Sequence, residues 1–188
     1  MRTLFAVLLL FAAAFAQDRP AGTQQPQTPQ SSTQRQPLSP RGQTTFTFAD
    51  GKQISVDYGR PYMRGRKIMG GLVPYNKIWR TGANEATRFE TQADLILAST
   101  RVPAGKYSVY TIPGEQSWTI ILNKQTGQSG TVYNQEQDLA RVTVTPTRLD
   151  SPVDQFTISF EQRGPNAGVM KLEWENTSVP VDFSEANQ

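Results

Sequence analysis

From residue 43 onward the dominant hydrophobic period is two, and no window of a dozen residues carries a helical period. A chain patterned this way folds from strands that bury one face each. Phe46 and Phe48 alternate with threonines, and after Asp50-Gly51, a favoured hairpin pair, the alternation resumes at Ile54, Val56 and Tyr58. Tyr107, Val109 and Thr111 alternate with Ser108, Tyr110 and Ile112 before Pro113-Gly114-Glu115-Gln116 turns the chain into Trp118, Ile120 and Leu122. A third hairpin sets Phe156, Ile158 and Phe160 against Met170, Leu172 and Trp174 across the turn 164–168. Further strands are expected at 87–91, 94–98, 139–145 and 179–183, with Asn176-Thr177-Ser178, a glycosylation-type triplet, as the turn before the last. The expectation is an all-β domain, an antiparallel β-sandwich of about ten short strands, with a partly closed barrel as the alternative topology. Trp118 and Trp174 sit in alternating strands and are expected in the core.

The first 42 residues do not share this pattern. Arg2 precedes an apolar run from Leu4 to Ala16 that ends in Ala14-Phe15-Ala16 and then polar Gln17, the layout of a secretory signal cleaved after Ala16. Its 13 residues fall short of the roughly 20 that cross a bilayer as a helix. With no cysteine after the cleavage site to carry a lipid, the mature protein is expected to be soluble, in the periplasm or outside the cell. Residues 17–42, rich in Gln, Pro, Ser and Thr with Leu38 as the one large aliphatic, read as a disordered linker, which leaves 43–188 as the folded domain.

Charge and residue inventory exclude several function classes. The chain has 19 basic and 16 acidic residues. Arg2, Arg19, Arg35, Arg41 and Asp18 precede residue 43, which leaves 15 basic and 15 acidic residues in a neutral domain. A nucleic-acid partner, which calls for a basic excess, is therefore not expected. The chain contains no His and no Cys, so imidazole bases, thiolate nucleophiles, disulfides and Cys/His zinc sites are ruled out. No calcium-loop pattern is present either, and no metal or cofactor is expected.

One stretch breaks the rhythm of strands. Between Pro61 and Asn84 runs a connection of about two dozen residues, and loops of this length usually carry function or minor structure of their own. Arg60, Arg64, Arg66, Lys67, Lys77 and Arg80 fall here without an acidic residue among them, interleaved with Tyr62, Tyr75 and Trp79. Guanidinium groups fork onto carboxylate or phosphate oxygens and aromatic faces stack on sugar rings, so Arg66, Tyr75, Trp79, Arg80, Asn84 and Glu85 are candidates for binding an anionic or glycan ligand. The competing reading is structural: Ile68, Met69, Leu72, Val73, Ile78 and Trp79 would tuck the connection over the open end of the sandwich. Its arginines would then pair with Asp57, Glu85 or Glu90.

The segments Asp57-Tyr58-Gly59-Arg60-Pro61, Gly71-Leu72-Val73-Pro74-Tyr75, the run from Trp79 to Thr87 and Pro103-Ala104-Gly105-Lys106-Tyr107-Ser108 resemble domain-of-unknown-function family 2911. The resemblance covers about residues 44–183. It implies an exported bacterial protein and supplies no activity, cofactor or catalytic residue. The expected function is a binding or interaction module of the cell envelope. The alternatives are an enzyme acting on a glycan through carboxylates such as Asp57 and Glu85, or a purely structural envelope protein.

Overall fold

The computed structural model describes residues 38–186, so the segment expected to be a signal peptide and all but the last five residues of the expected linker lie outside the described residues. Ten strands form: β1 (Arg41–Thr47), β2 (Gln53–Gly59), β3 (Thr87–Thr91), β4 (Leu95–Leu97), β5 (Thr100–Val102), β6 (Gly105–Ile112), β7 (Trp118–Asn123), β8 (Asp138–Val144), β9 (Thr147–Gly164) and β10 (Ala167–Glu185). They make two antiparallel sheets, ordered β1-β2-β3-β6-β7-β8 and β5-β4-β10-β9, packed as a sandwich. Both sheets are open, which settles the sandwich over the barrel. A single 3-10 turn, Gln135–Gln137, is the only helical element among the described residues.

The expected hairpins form in the expected pairings. At the first, Thr47 faces Gln53, Phe48 donates its N–H to the Lys52 carbonyl at 2.9 Å, and Gly51 takes φ +87°. Three expectations need correction. The sheet starts at Arg41, two residues inside the segment read as linker. The strands are not uniformly short, because β9 and β10 run for 18 and 19 residues and absorb the separate strand expected at 179–183. Asn176-Thr177-Ser178 is therefore not a turn. Its neighbour Glu175 takes φ +54°, and register shifts on either side of it bend β10 without ending it, as a bulge does.

The main core lies between the sheets. Phe46 meets Phe48 and Phe183 edge-on at centroid distances of 5.0 and 4.9 Å. Trp118 and Trp174 are buried as expected. Burial of each such ring contributes about 1.5–3 kcal/mol, before the side-chain entropy lost on ordering. The outer face of the six-stranded sheet is also partly covered. Tyr110 of β6, Ile121 of β7 and Ala86 form a second apolar cluster under Ile112 and Tyr133, and the Tyr110 hydroxyl donates to the Val132 carbonyl at 2.6 Å. Cover on both faces is why β6 and β7 are buried almost without alternation.

The 61–84 connection is fastened at several places along its length. Met63 N–H donates to the Asp154 carbonyl at 2.7 Å. Ile68 and Met69 donate their N–H groups to the two carboxylate oxygens of Glu175 at 3.2 and 3.1 Å. Trp79 and Thr111 form an isolated antiparallel bridge. Ile68, Met69 and Val73 are buried as the structural reading requires, but Leu72 and Ile78 are 47% and 39% exposed.

Candidate functional site

The run Trp79 to Thr87 has an unusual backbone. Thr81 and Asn84 take φ of +55° and +65°. For a β-branched residue this conformation costs on the order of 1–2 kcal/mol, so it persists only where the surroundings over-determine it. They do: Thr81 is completely buried, its carbonyl accepts the Thr87 hydroxyl at 2.6 Å, and its own hydroxyl reaches Thr111 Oγ1 at 3.3 Å. Gly59 allows the run to close on β2, since a Cβ there would stand 2.2 Å from the Ala83 carbonyl oxygen. A second segment then docks on the run. Glu85 bridges Ser129, and Gly130 N–H donates to the Asn84 carbonyl at 3.2 Å.

Between these two segments and the 61–78 turns lies a cleft of about 770 Å³. Trp79 and Trp174, stacked at 6.0 Å with 19° between their planes, stand at its wall with Val73 and Tyr133. Arg64, Arg66 and Arg80 line it, and no Asp or Glu does. Arg66 spends Nε and one Nη on the Met63 and Tyr62 carbonyls at 3.0 and 2.8 Å, which fixes its position without neutralising its charge. Arg80 is half-buried, with its Nε shielded from solvent and without a hydrogen-bond partner. Its stem passes so close to Gly130 that a Cβ there would stand 2.1 Å from Arg80 Cδ.

The ion pairing expected of the connection does not form. Among the described residues none of Arg60, Arg64, Arg66, Lys67, Lys77 and Arg80 pairs with a carboxylate. Arg60 donates instead to the Phe156 carbonyl and to Thr157 Oγ1. The acids named as partners are taken by bases of the strands: Asp57 and Glu85 by Arg41, Glu85 also by Arg88 at 2.7 Å, and Glu90 by Lys106 at 3.4 Å. Two carboxylates sharing one guanidinium on the outer face of a sheet do not face each other over a cleft. The acid and base nominated for a glycan-acting enzyme are thus absent from the cleft. Among the described residues no three acidic side chains gather to hold a metal ion.

Of the six candidate residues, the fold brings Arg66, Trp79, Arg80 and Asn84 together in the cleft. Tyr75 lines a different hollow, of about 460 Å³, beside Lys67, Glu115 and Glu175. Burial pushes its hydroxyl up, and the charges of Glu115 and Glu175 add to this. Glu85 is exposed and lies outside both hollows. Sequence reasoning passed over Arg64, although it stands in the same basic run, and Tyr133 with its neighbours Gly130 and Thr131, for which no local signal exists. Beside Arg80 the Tyr110 hydroxyl is pushed up by its burial, against the opposing hydrogen bond from Gln128 and the positive charge of Arg80.

A family model described as "Protein of unknown function (DUF2911)" matches residues 39–183. No curated protein and no solved structure matches the chain.

Proposed function

The chain belongs to the DUF2911 family, whose description assigns no activity, and we propose from the cleft itself that the domain is a binding module for an anionic ligand of the cell envelope. One observation carries this reading. Three arginines line a cleft that has no acidic residue in its lining, and none of them is ion-paired among the described residues. Unpaired guanidinium groups gathered in a concavity repel one another, and a phosphate or carboxylate removes that repulsion while accepting forked hydrogen bonds. Half-buried Trp79, backed by the buried Trp174 stacked on it, offers apolar wall for the ring or chain that bears the anion. Cleavage after Ala16 would place the mature protein in the periplasm or outside the cell, where envelope glycans and lipids are its neighbours.

The test is titration of the mature protein, followed by amide chemical shifts, with inorganic phosphate, glucuronic acid and neutral glucose. Saturable shifts at Arg64, Arg80 and Gly130 with the anions and none with glucose are expected. In the double variant Arg64→Gln, Arg80→Met the affinity should fall about tenfold or more. Equal response to glucose, or no response in the cleft to either anion, overturns the reading.

A further inference from the structure

The large apolar side chains that stand exposed among the described residues are Leu38, Leu72, Ile78 and Val132, at 68%, 47%, 39% and 48%. Three of them sit at one place. Leu38, Leu72 and Ile78 line the cleft, and Val132 lies between Thr131 and Tyr133, which also line it. Scattered exposed leucines need no explanation, but three drawn from two separate segments onto one cleft, with a fourth in a segment that borders it, do. The same rim carries Arg64 and Arg66, both exposed, and Lys77 adjoins Ile78 without an acidic partner among the described residues.

We infer that this rim docks the domain on an anionic phospholipid surface, with a lipid phosphate drawn toward the arginines and the apolar tips entering the boundary between headgroups and acyl chains. The proposal rests on the reading of the cleft as an anion site and names the ligand's source. Apolar tips ringed by unpaired cations are what such a surface selects, since burial of the tips adds to attraction of the cations by the negative leaflet. Leu38, Leu72 and Ile78 are exposed in the lining of a hollow, so a rigid protein partner would need a matching ridge, whereas a fluid bilayer conforms to them. The docking proposed is peripheral; no helix among the described residues is long and apolar enough to cross a membrane.

The experiment is co-sedimentation of the mature chain with vesicles of phosphatidylcholine alone or mixed with phosphatidylglycerol, beside titration with glycerol phosphate as the soluble headgroup. Binding to the mixed vesicles only, weakened by salt, is expected. Leu72→Ser with Ile78→Ser should lower vesicle binding about tenfold and lower glycerol phosphate binding far less, because the soluble headgroup has no acyl chain for these side chains to meet. Arg64→Gln should lower both, about fivefold on the vesicles. Binding of glycerol phosphate without binding of vesicles overturns the lipid inference and leaves the anion site standing, while binding of neither removes both. Equal binding to neutral vesicles, or concentration-dependent self-association through Leu72 and Ile78 in place of vesicle binding, also overturns it.

Discussion

Trp79 and Thr111 exchange two backbone hydrogen bonds of 2.8 Å each, and this bridge helps tie the long basic connection to the middle of the six-stranded sheet. Two residues further on, Thr81 stands buried with φ +55° and is held by the Thr87 hydroxyl.

Thr87→Val keeps the shape of the side chain and removes the donor to the Thr81 carbonyl. The expected loss is about 1–3 kcal/mol by urea unfolding, the cost of a buried acceptor left without its partner. Thr81 and Gly82 amides should exchange faster with solvent than in the parent.

Glu175→Ala removes the acceptor of both the Ile68 and Met69 N–H groups. A loss of about 1–3 kcal/mol is expected, with faster hydrogen exchange confined to residues near 66–73. Unchanged exchange there would mean that the apolar contacts of Ile68 and Val73 alone hold the turn.

Gly130→Ala places a methyl group 2.1 Å from Arg80 Cδ and 2.5 Å from the Asn84 carbonyl oxygen. The arginine can swing away but the carbonyl cannot, so a loss of about 1–3 kcal/mol is expected together with weaker anion binding. The fold itself should survive, as read by an unaltered far-ultraviolet circular dichroism spectrum.

Arg80→Met keeps the stem that packs on Gly130 and removes a half-buried charge with no carboxylate partner. Stability should stay within about 1 kcal/mol of the parent or rise, while anion binding falls, the pattern of a residue kept for binding at some cost to folding. A loss of about 3 kcal/mol or more in urea would make Arg80 a structural staple.

The chain has no His and no Cys, so no side chain of the folded domain titrates ordinarily between about pH 5 and 8, and the melting temperature should be flat there. Asp94 is held below the usual carboxylate range by the Ala104 N–H and by Arg101, and Glu161 by Lys171. Their contribution is present above the ordinary carboxylate values and is lost as pH falls below about 4 through the lowered folded ones. Burial pushes the Tyr107 and Tyr110 hydroxyls above the ordinary 10.0. That contribution is complete below pH 10 and disappears as pH rises through the folded values. Melting curves across the pH range, with tyrosinate absorbance at the alkaline end, check both limbs.

Much of the fold was legible because alternation is a local property. The register of the first hairpin, Phe46 opposite Ile54, follows from two apolar runs and an Asp-Gly turn. Strand β5 was missed for an equally local reason. Leu97 faces Thr100 across Ala98-Ser99, a two-residue turn with φ of +41° and +76° made without the Gly or Asn that usually announces it. The length of β10 was hidden because Glu175 reads as a strand end in a polar run, whereas its positive φ bends the strand and its carboxylate fastens the connection.

The sequence by itself determined the all-β class, the three hairpins, the exclusion of imidazole and thiol chemistry, and the place of the basic, aromatic connection, because each depends on residue type or short-range period. Only the tertiary structure decided which charges meet. Arg41 reaches Glu85 across 44 positions, and the Glu85–Ser129 bridge carries Gly130, Thr131 and Tyr133 to Arg80. Arg41 and the strand bases thereby neutralise the acids on the outer face of the sheet and leave Arg64, Arg66 and Arg80 unpaired in the cleft. Coulomb attraction acts on distance in space, and distance in space is set by sheet register and packing, to which the alternation of a single strand is blind.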